Sequence, residues 1–479
     1  MLQTDTVHTL TPLQLHNTAS RQLEPFTPNN PEDVTVYTCG PTVYDYTTIG
    51  NLRSYVFADI LRRTLLWNGY TVRSTINYTD FGHLTDDADA GEDKILRALQ
   101  KHGLPMTLEA MRSFTDQYIE LYKQDTAAMN ITPPTSYARA SDFVAEQIDL
   151  IKQLEKKGHA YTTSDGVYFS IQSFPTYGTL GNIDLKKLKS GARIAVNPEK
   201  QHPADFALWK YGNLGWESPW GRGFPGWHIE CSAMAMKTLG SSIDIHTGGI
   251  DHIHTHHNAE IAQSEAATGQ TFAKYWLHNE FITINGQRIG KSLGNAITIP
   301  ELQTQGYDPV AYRYWLLTAH YRSSANFTYA ALDQSQQALS RLQQHYYEEY
   351  GASVGTPDPT ILKQFTAAIN NDLDTPRALA VAWDLVRNGK QTPETKAATL
   401  HQMDKVLGIG LQHDQSTGLQ HLGIAKITEV EPAVESLVAK REAARAARDW
   451  DEADRIREEI QACGYEVDDT NEGSRLRRL

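Results

Sequence analysis

The segment from 34 to 80 constrains the fold more than any other part of the chain. VTVYTC (34–39) alternates β-branched and aromatic residues as a strand does, and Gly40–Pro41 makes a turn straight after it. From Asn51 to Trp67 the apolar residues Leu52, Val56, Phe57, Ile60, Leu61 and Leu65 recur at helical spacing, and Gly69 lies just past the end, where a helix stop belongs. TVRSTINYTD (71–80) then reads as a second strand. Strand, loop, helix, strand is half of a nucleotide-binding α/β fold. Strand signals return at SSIDIH (241–246) and FITIN (281–285), with helix at HNAEIAQSEAA (257–267) between them. The expected fold is therefore a Rossmann-like α/β domain whose halves, 1–80 and 226–328, are split by an insertion over 81–225. The helical patterns YAALDQSQQALSRLQQHYYEEY and DTPRALAVAWDLVRN place a helical bundle at 329–425. A helical hairpin with a tail is expected over 426–479, its second arm opened by an Asp449/Glu452 capping box.

Composition excludes several classes. The chain carries 44 basic and 57 acidic residues, net -13, which argues against coating nucleic acid through bulk charge but leaves room for a local basic patch. Three cysteines rule out a disulfide scaffold. No apolar run is long enough to span a membrane. MLQTDTVHTLTPLQLHN lacks the basic start and apolar core of a signal peptide, so the cytoplasm is the expected compartment.

Two glycine-rich strings mislead. Gly221-Arg-Gly-Phe-Pro-Gly226 fits the dinucleotide fingerprint letter by letter, yet ESPW precedes it, and a proline there argues against the strand the fingerprint needs. Gly286-Gln-Arg-Ile-Gly-Lys-Ser292 has three residues between its glycines where a P-loop has four.

Histidine is concentrated: five occur within residues 246–257. His256 and Glu260 stand four apart and share one helical face, and both are competent zinc donors. Cys39 ends a predicted strand, at the edge where α/β folds place ligands, and Cys231 lies in WHIECSAMAM beside a second strand. No CxxC knuckle ties the thiols together. His252 and His254 compete with His256 as ligands, and His257 is expected to point elsewhere.

Long strings in matching order settle more. CGPTVYDYTTIGN (39–51), GFPGWHIECSAM (223–234), DIHTGGIDHIHTHHNAEIAQS (244–264), RIGKSLGN (288–295), GARIAVNPEK (191–200), DFALWK (205–210) and DTNEGSRLRR (469–478) resemble cysteinyl-tRNA synthetase, a class I aminoacyl-tRNA synthetase. The resemblance covers essentially the whole chain. It implies ATP-dependent activation of L-cysteine to cysteinyl-adenylate and transfer to the 3′ end of tRNA(Cys), by a monomer. It implies one zinc ion on Cys39, Cys231, His256 and Glu260, with Thr79, Trp227 and Cys39 around the substrate. Gly40, Thr48, Gly50, Asn51, His246, Gly249, Asp251, Arg288, Lys291 and Ser292 would handle ATP with Mg2+. Thr48, Gly50, Asn51 and Lys291 would take part in catalysis. The bundle at 329–425 would meet the tRNA stem, and residues 426–479, with Arg441, Arg445, Arg448, Arg475, Arg477 and Arg478, the anticodon.

The motifs depart from the family pattern at two places. Thr48 stands where the HIGH-type signature begins with histidine, and the mobile loop has Arg288 and Gly290 for its first lysine and middle serine. Both departures fall on the activation step. They make a catalytically impaired, zinc-containing tRNA-binding paralogue the alternative, and a related cysteine:amino-sugar ligase a further one. Intact zinc donors, Trp227 and Lys291 favour an active enzyme. The acid-rich stretch 81–100 reads as a surface loop.

Overall fold

The computed structural model describes residues 11–82, 93–183, 197–290, 293–352, 355–425, 427, 430–470 and 473–479. They fall into two compact units, residues 11–332 with 366–378 and residues 333–365 with 379–479.

The first unit opens with an antiparallel pair, β1 (Gln14–Asn17) and β2 (Gln22–Pro25). Then come β3 (Val34–Thr38), α1 (Ile49–Trp67) and β4 (Val72–Tyr78), as the residue spacing predicts. Thr48 caps α1 through a reciprocal box with Asn51, and Gly69 adopts the left-handed φ of +86° that stops the helix. Next are α2 (Lys94–Lys101), α3 (Leu108–Ala128), β5 (Ser136–Arg139) and α4 (Val144–Lys156). β6 (Ala160–Thr163), β7 (Gly166–Phe169), β8 (Phe206–Trp216) and β9 (Gly223–Pro225) make a separate antiparallel sheet. The chain returns through α5 (Trp227–Leu239), β10 (Ile243–Gly249), α6 (His256–Thr268) and β11 (Ala273–Asn279).

The main sheet is parallel throughout, in the order β11-β10-β3-β4-β5. From β3 the chain builds outward to β4 and β5, and after the excursion it returns to β3's other side with β10. The junction of β3 and β10 is therefore the topological switch point, where α/β sheets bind ligands.

Three expectations are corrected here. Residues 81–225 are not one excursion: Ser136–Arg139 pairs with β4 and extends the main sheet, with Tyr137 stacked on Tyr78 at 4.9 Å. FITIN does not close that sheet; its strand β12 (Ile282–Ile284) forms a hairpin with β13 (Gln287–Arg288) across an Asn285–Gly286 turn, both residues at positive φ. The sheet is closed instead by β11, AKYWLHN. Its polar residues hid it from pattern reading, because His278 and Asn279 are buried. In the acid-rich stretch, Asp93 caps α2 and 94–101 are helical, while 83–92 lie outside the described residues.

The unit continues with α7 (Ile299–Thr304), α8 (Pro309–Leu317) and β14 (Ala325–Phe327), which pairs with β12. Helices α9 (Tyr329–Gln344), α10 (Pro359–Ile369), α11 (Thr375–Asn388), α12 (Pro393–Leu407) and α13 (Gln415–His421) follow. The predicted hairpin is α14 (Pro432–Ala446) and α15 (Trp450–Ala462). Asp449 accepts from the Glu452 amide, but the Glu452 carboxylate turns to Arg455, so only half of the capping box forms. The tail is not irregular. It folds as β16 (Tyr465–Thr470) and β17 (Gly473–Arg478), with β15 (Ile424–Ala425) added at β17's edge, and Val467 and Leu476 complete a small core with Val434, Val438, Ile456 and Ile460.

Candidate active site

Cys39 follows β3 at the C-terminal edge of the parallel sheet. Cys231 lies not beside a strand but within the first two turns of α5; His256 begins α6 and Glu260 stands one turn further on. All four are buried, and one donor atom from each lies within 4.8 Å of the others. His256 Nε2 is 3.2 Å from Glu260 Oε1, while its Nδ1 meets His228 Nδ1 at 2.9 Å, the outer-sphere contact that orients a ligating imidazole.

Cys39, His246, His257 and Glu260 satisfy the same distance. His257 does not point elsewhere, as its neighbour's assignment suggested. Its Nε2 lies 3.4 Å from Cys39 Sγ and its Nδ1 2.7 Å from His278 Nε2. His246 is likewise part of the cluster and not of an open nucleotide face: fully buried, it sits 2.8 Å from Glu260 Oε2 and stacks on Trp276 at 4.4 Å. His254 is exposed and outside both sets.

Without a cation this cluster is electrostatically costly. Burial pushes the Glu260 carboxyl up, although His246 opposes the rise, and burial together with Cys39 drives the Cys231 thiol well up. Burial also acts to raise Cys39, but hydrogen bonding from Cys231 and the nearby imidazoles overcomes it, and this thiol lies well below the usual cysteine value. Two thiols, an imidazole and a carboxylate converging in a dry site suit a soft, four-coordinate divalent cation, and zinc fits that donor set.

Trp227, the first residue of α5, lays its ring 4.5 Å from that of His256. Thr79 is buried and donates to Glu230 Oε1 at 2.5 Å. Sequence reading missed Glu230 altogether. Read as a helix, WHIECSAM would have placed Trp227, Glu230 and Cys231 on one face, since they stand three and four apart.

Gly40 and Gly249, two of the residues expected to handle the nucleotide, lie at the same edge of the sheet. Gly40 follows Cys39 and packs so tightly on β4 that an added Cβ would lie 1.6 Å from the Asn77 carbonyl oxygen. The Thr48 hydroxyl is committed to the α1 cap, donating to Asn51 Oδ1 at 2.8 Å. A Cβ on Gly50 would come within 2.8 Å of Ile289, so the loop after β13 rests against the start of α1. Gly249 ends β10 and Asp251, two residues on, is exposed. Arg288 is exposed at the end of β13, and the loop backbone beyond it is braced by Asn295, which accepts from Gly290 N and donates to Arg288 O. Lys291 and Ser292 lie outside the described residues.

The C-terminal arginines are less available than their number implies. Arg441 is buried and paired with Asp469 at 2.7 Å, Arg445 shares that carboxylate, and Arg475 is held by Glu348 and Asp468. The residue that stands out is Trp450, 56% exposed, with the Arg445 guanidinium 5.7 Å from its ring centre.

A parallel sheet bearing its candidate site at the switch point, with helix N-termini beside it, is a nucleotide-binding arrangement, and the comparisons give its class as that of the class I aminoacyl-tRNA synthetases. Residues 25–337 match the family described as the tRNA synthetases class I (C) catalytic domain, and 428–477 match the cysteinyl-tRNA ligase anticodon binding domain. The chain is 46% identical to cysteine–tRNA ligase 1 of Burkholderia lata, covering 97% of both chains. It is 40% identical to the cysteine–tRNA ligase of Treponema denticola, over 95% of this chain and 98% of that one. The chain belongs to the cysteine–tRNA ligase family. Among solved structures it shares its fold with methionyl-tRNA synthetase of Mycobacterium tuberculosis bound to methionyl-adenylate, at TM-score 0.54 and 14% identity, covering 82% of this chain and 91% of that one. An Agrobacterium radiobacter LeuRS–tRNA complex gives TM-score 0.61 at 12% identity, covering 84% and 86%. Among the described residues no helix is long and apolar enough to cross a membrane.

Proposed function

We propose that the chain activates L-cysteine with ATP and esterifies tRNA(Cys), acting as a monomer in the cytoplasm. The cysteine carboxylate attacks the α-phosphate of Mg2+-bound ATP, pyrophosphate leaves, and cysteinyl-adenylate forms. A hydroxyl of the terminal tRNA ribose then attacks the carbonyl, and AMP leaves. Zinc on Cys39, Cys231, His256 and Glu260 would supply a soft Lewis-acid centre that takes a thiolate in preference to the harder hydroxyl of serine. An apolar pocket alone separates near-isosteres by only about 1–3 kcal/mol.

The chain's own groups do the rest. Trp227 closes the pocket against His256. Backbone N–H groups at the start of α1 face the phosphates, and Gly50 lets the Ile289 loop rest against that helix start. Gly40, packed on β4, and Gly249, packed under Asp251, would line the nucleotide with backbone, and Asp251 is placed for ribose hydroxyls. Arg288, Lys291 and Ser292 bring cations and a donor to charge developing on the phosphates. Thr48 replaces a histidine donor, and losing such a donor commonly costs about 10²–10³ in rate. The reading is that of an active enzyme that tolerates this variant. Residues 329–425 would contact the tRNA stem and 426–479 the anticodon.

The observation that carries this reading is the convergence of two thiols, His256 and Glu260 at the switch point beside Trp227 and Thr79. ATP–pyrophosphate exchange by zinc-loaded protein is expected with cysteine and absent with serine. No exchange with cysteine, in folded zinc-bound protein, would overturn it; an inactive chain restored by Thr48→His would contradict the tolerance of Thr48. At the RNA end, Trp450 offers an exposed ring for base stacking, worth about 1–3 kcal/mol. Trp450→Ala is expected to raise KM for tRNA roughly tenfold while leaving pyrophosphate exchange unchanged, measured by aminoacylation kinetics.

A further inference from the structure

Three of the four proposed metal donors have a polar partner behind them. A metal-bound thiolate can only accept, so His257 Nε2, 3.4 Å from Cys39 Sγ, donates to it. His257 Nδ1 then accepts from His278 Nε2 at 2.7 Å, and His278 Nδ1 accepts from the Thr18 hydroxyl at 2.8 Å. Glu260 Oε2 has His246 Nε2 at 2.8 Å, and His256 Nδ1 has His228 Nδ1 at 2.9 Å. Cys231 is the exception: among the described residues no imidazole or hydroxyl closes a hydrogen bond to its sulfur. The opposite deficit lies beside it. Tyr37 is fully buried, and its hydroxyl has no hydrogen-bond partner among the described residues. It stands on β3 two residues before Cys39 and opposite His246 on β10, with its ring 5.1 Å from that imidazole. Cys39, Cys231 and Tyr37 share one core. Burial holds the phenol well above its ordinary value, and Cys231, Cys39 and Glu260 push the same way in that order, so its oxygen faces Cys231 first.

A buried O–H without an acceptor and a buried sulfur without a donor, facing each other, amount to one hydrogen bond not yet made. A coordinated thiol loses its proton and becomes an acceptor. Resting on the proposed zinc site, we propose that Tyr37 is the outer-sphere donor to the Cys231 thiolate, in a bond closed only when the metal is held. The hydroxyl then draws charge off that sulfur and leaves the metal more electrophilic toward a substrate thiol. Tyr37 is a positioning residue, since it acts on the metal through Cys231.

The test is full-length Tyr37→Phe, which keeps the ring and removes the hydroxyl. Its Zn2+ affinity, read by competition with a chromogenic chelator, is expected to fall about 10–100-fold. In Co2+-substituted protein the sulfur-to-metal charge-transfer band should move to longer wavelength, because a thiolate without its hydrogen bond gives up an electron more readily. Stability adds a reading that a packing role would not produce. Without metal the hydroxyl is an unmet polar group, so the metal-free Tm of Tyr37→Phe should equal or exceed that of the unmodified chain. The rise in Tm on adding Zn2+ should be smaller. Tyr78→Phe removes another buried hydroxyl with no hydrogen-bond partner and should leave band and affinity unchanged. A Co2+ band that stays in place in Tyr37→Phe would overturn the assignment, whatever the affinity. So would a lowered metal-free Tm with the Zn2+-induced rise intact, which would make the hydroxyl a packing group only. If the metal-free variant does not fold, the band of protein expressed and purified with Co2+ decides alone. Failure of the zinc reading looks different: the unmodified chain would then take up no Zn2+, or Cys231→Ala would retain it.

Discussion

Cys231→Ala is expected to strip zinc from the protein and lower kcat/KM for cysteine in pyrophosphate exchange by at least about 10³-fold, roughly 4 kcal/mol of transition-state stabilisation. Loss of an outer-sphere partner alone typically costs about 10–100-fold in metal affinity or activity, and loss of a direct donor should exceed that. The experiment also separates the two donor sets that the cluster offers. Both contain Cys39 and Glu260, so neither of those residues distinguishes them. Cys231 and His256 belong to one set, His246 and His257 to the other. If the metal sits as proposed, Cys231→Ala loses it and His257→Ala keeps it; the reverse pattern would place it on the histidines. Metal content by elemental analysis and KM for ATP, which should hold steady, complete the comparison.

Asp59→Ala is expected to destabilise the α/β unit by about 3–5 kcal/mol. Asp59 lies in the middle of α1 with its carboxylate fully buried, 2.7 Å from Arg313 and 2.8 Å from Arg63, and it also accepts the Thr132 amide at 3.0 Å. Arg313 is itself fully buried, so deleting the carboxylate removes the counter-charge 2.7 Å from a cation in the interior. Helix α1 carries Thr48, Gly50 and Asn51 at its start, and this ion cluster is one of the things that hold it in place. Burial acts to raise the Asp59 carboxyl, and Arg313, Arg63 and Arg62 together outweigh it, so its folded value lies below the ordinary 3.8. A depressed acid stabilises the fold above its unfolded value and loses that contribution as pH falls through the folded one. The stability gap between the unmodified chain and Asp59→Ala should therefore be full at neutral pH and shrink below pH 3.8. Urea titrations across that range measure it; a gap that does not change with pH would contradict the account.

Where local rules decide, the residues speak for themselves. Helix α1 could be read from its apolar spacing and from Gly69, because a helix buries one stripe and needs a left-handed stop. Strands β3 and β4 could be read from alternating β-branched and aromatic residues. The proposed zinc donors could not be chosen this way. An i,i+4 His/Glu pair and two lone cysteines have commonplace explanations, and only long matching strings singled out four of them.

Strand partners and side-chain direction were decided by tertiary contact. β5 and β11 join the parallel sheet because neighbours there satisfy them, as His278 is satisfied by His257 and Thr18. The terminal strands β16 and β17 appear only once α14 and α15 provide an apolar face for Val467 and Leu476. Arg441 looked like a contact for RNA, but a carboxylate 28 positions later in the chain pairs with it and buries it. His257 and Glu230 turn inward for the same reason: in a dry interior a polar group goes where partners are, and sequence spacing does not say where folding will bring them. The residues of this chain thus determined its family, its helices and its principal donors, while three-dimensional packing determined which polar groups face one another and hence what the site can recognise.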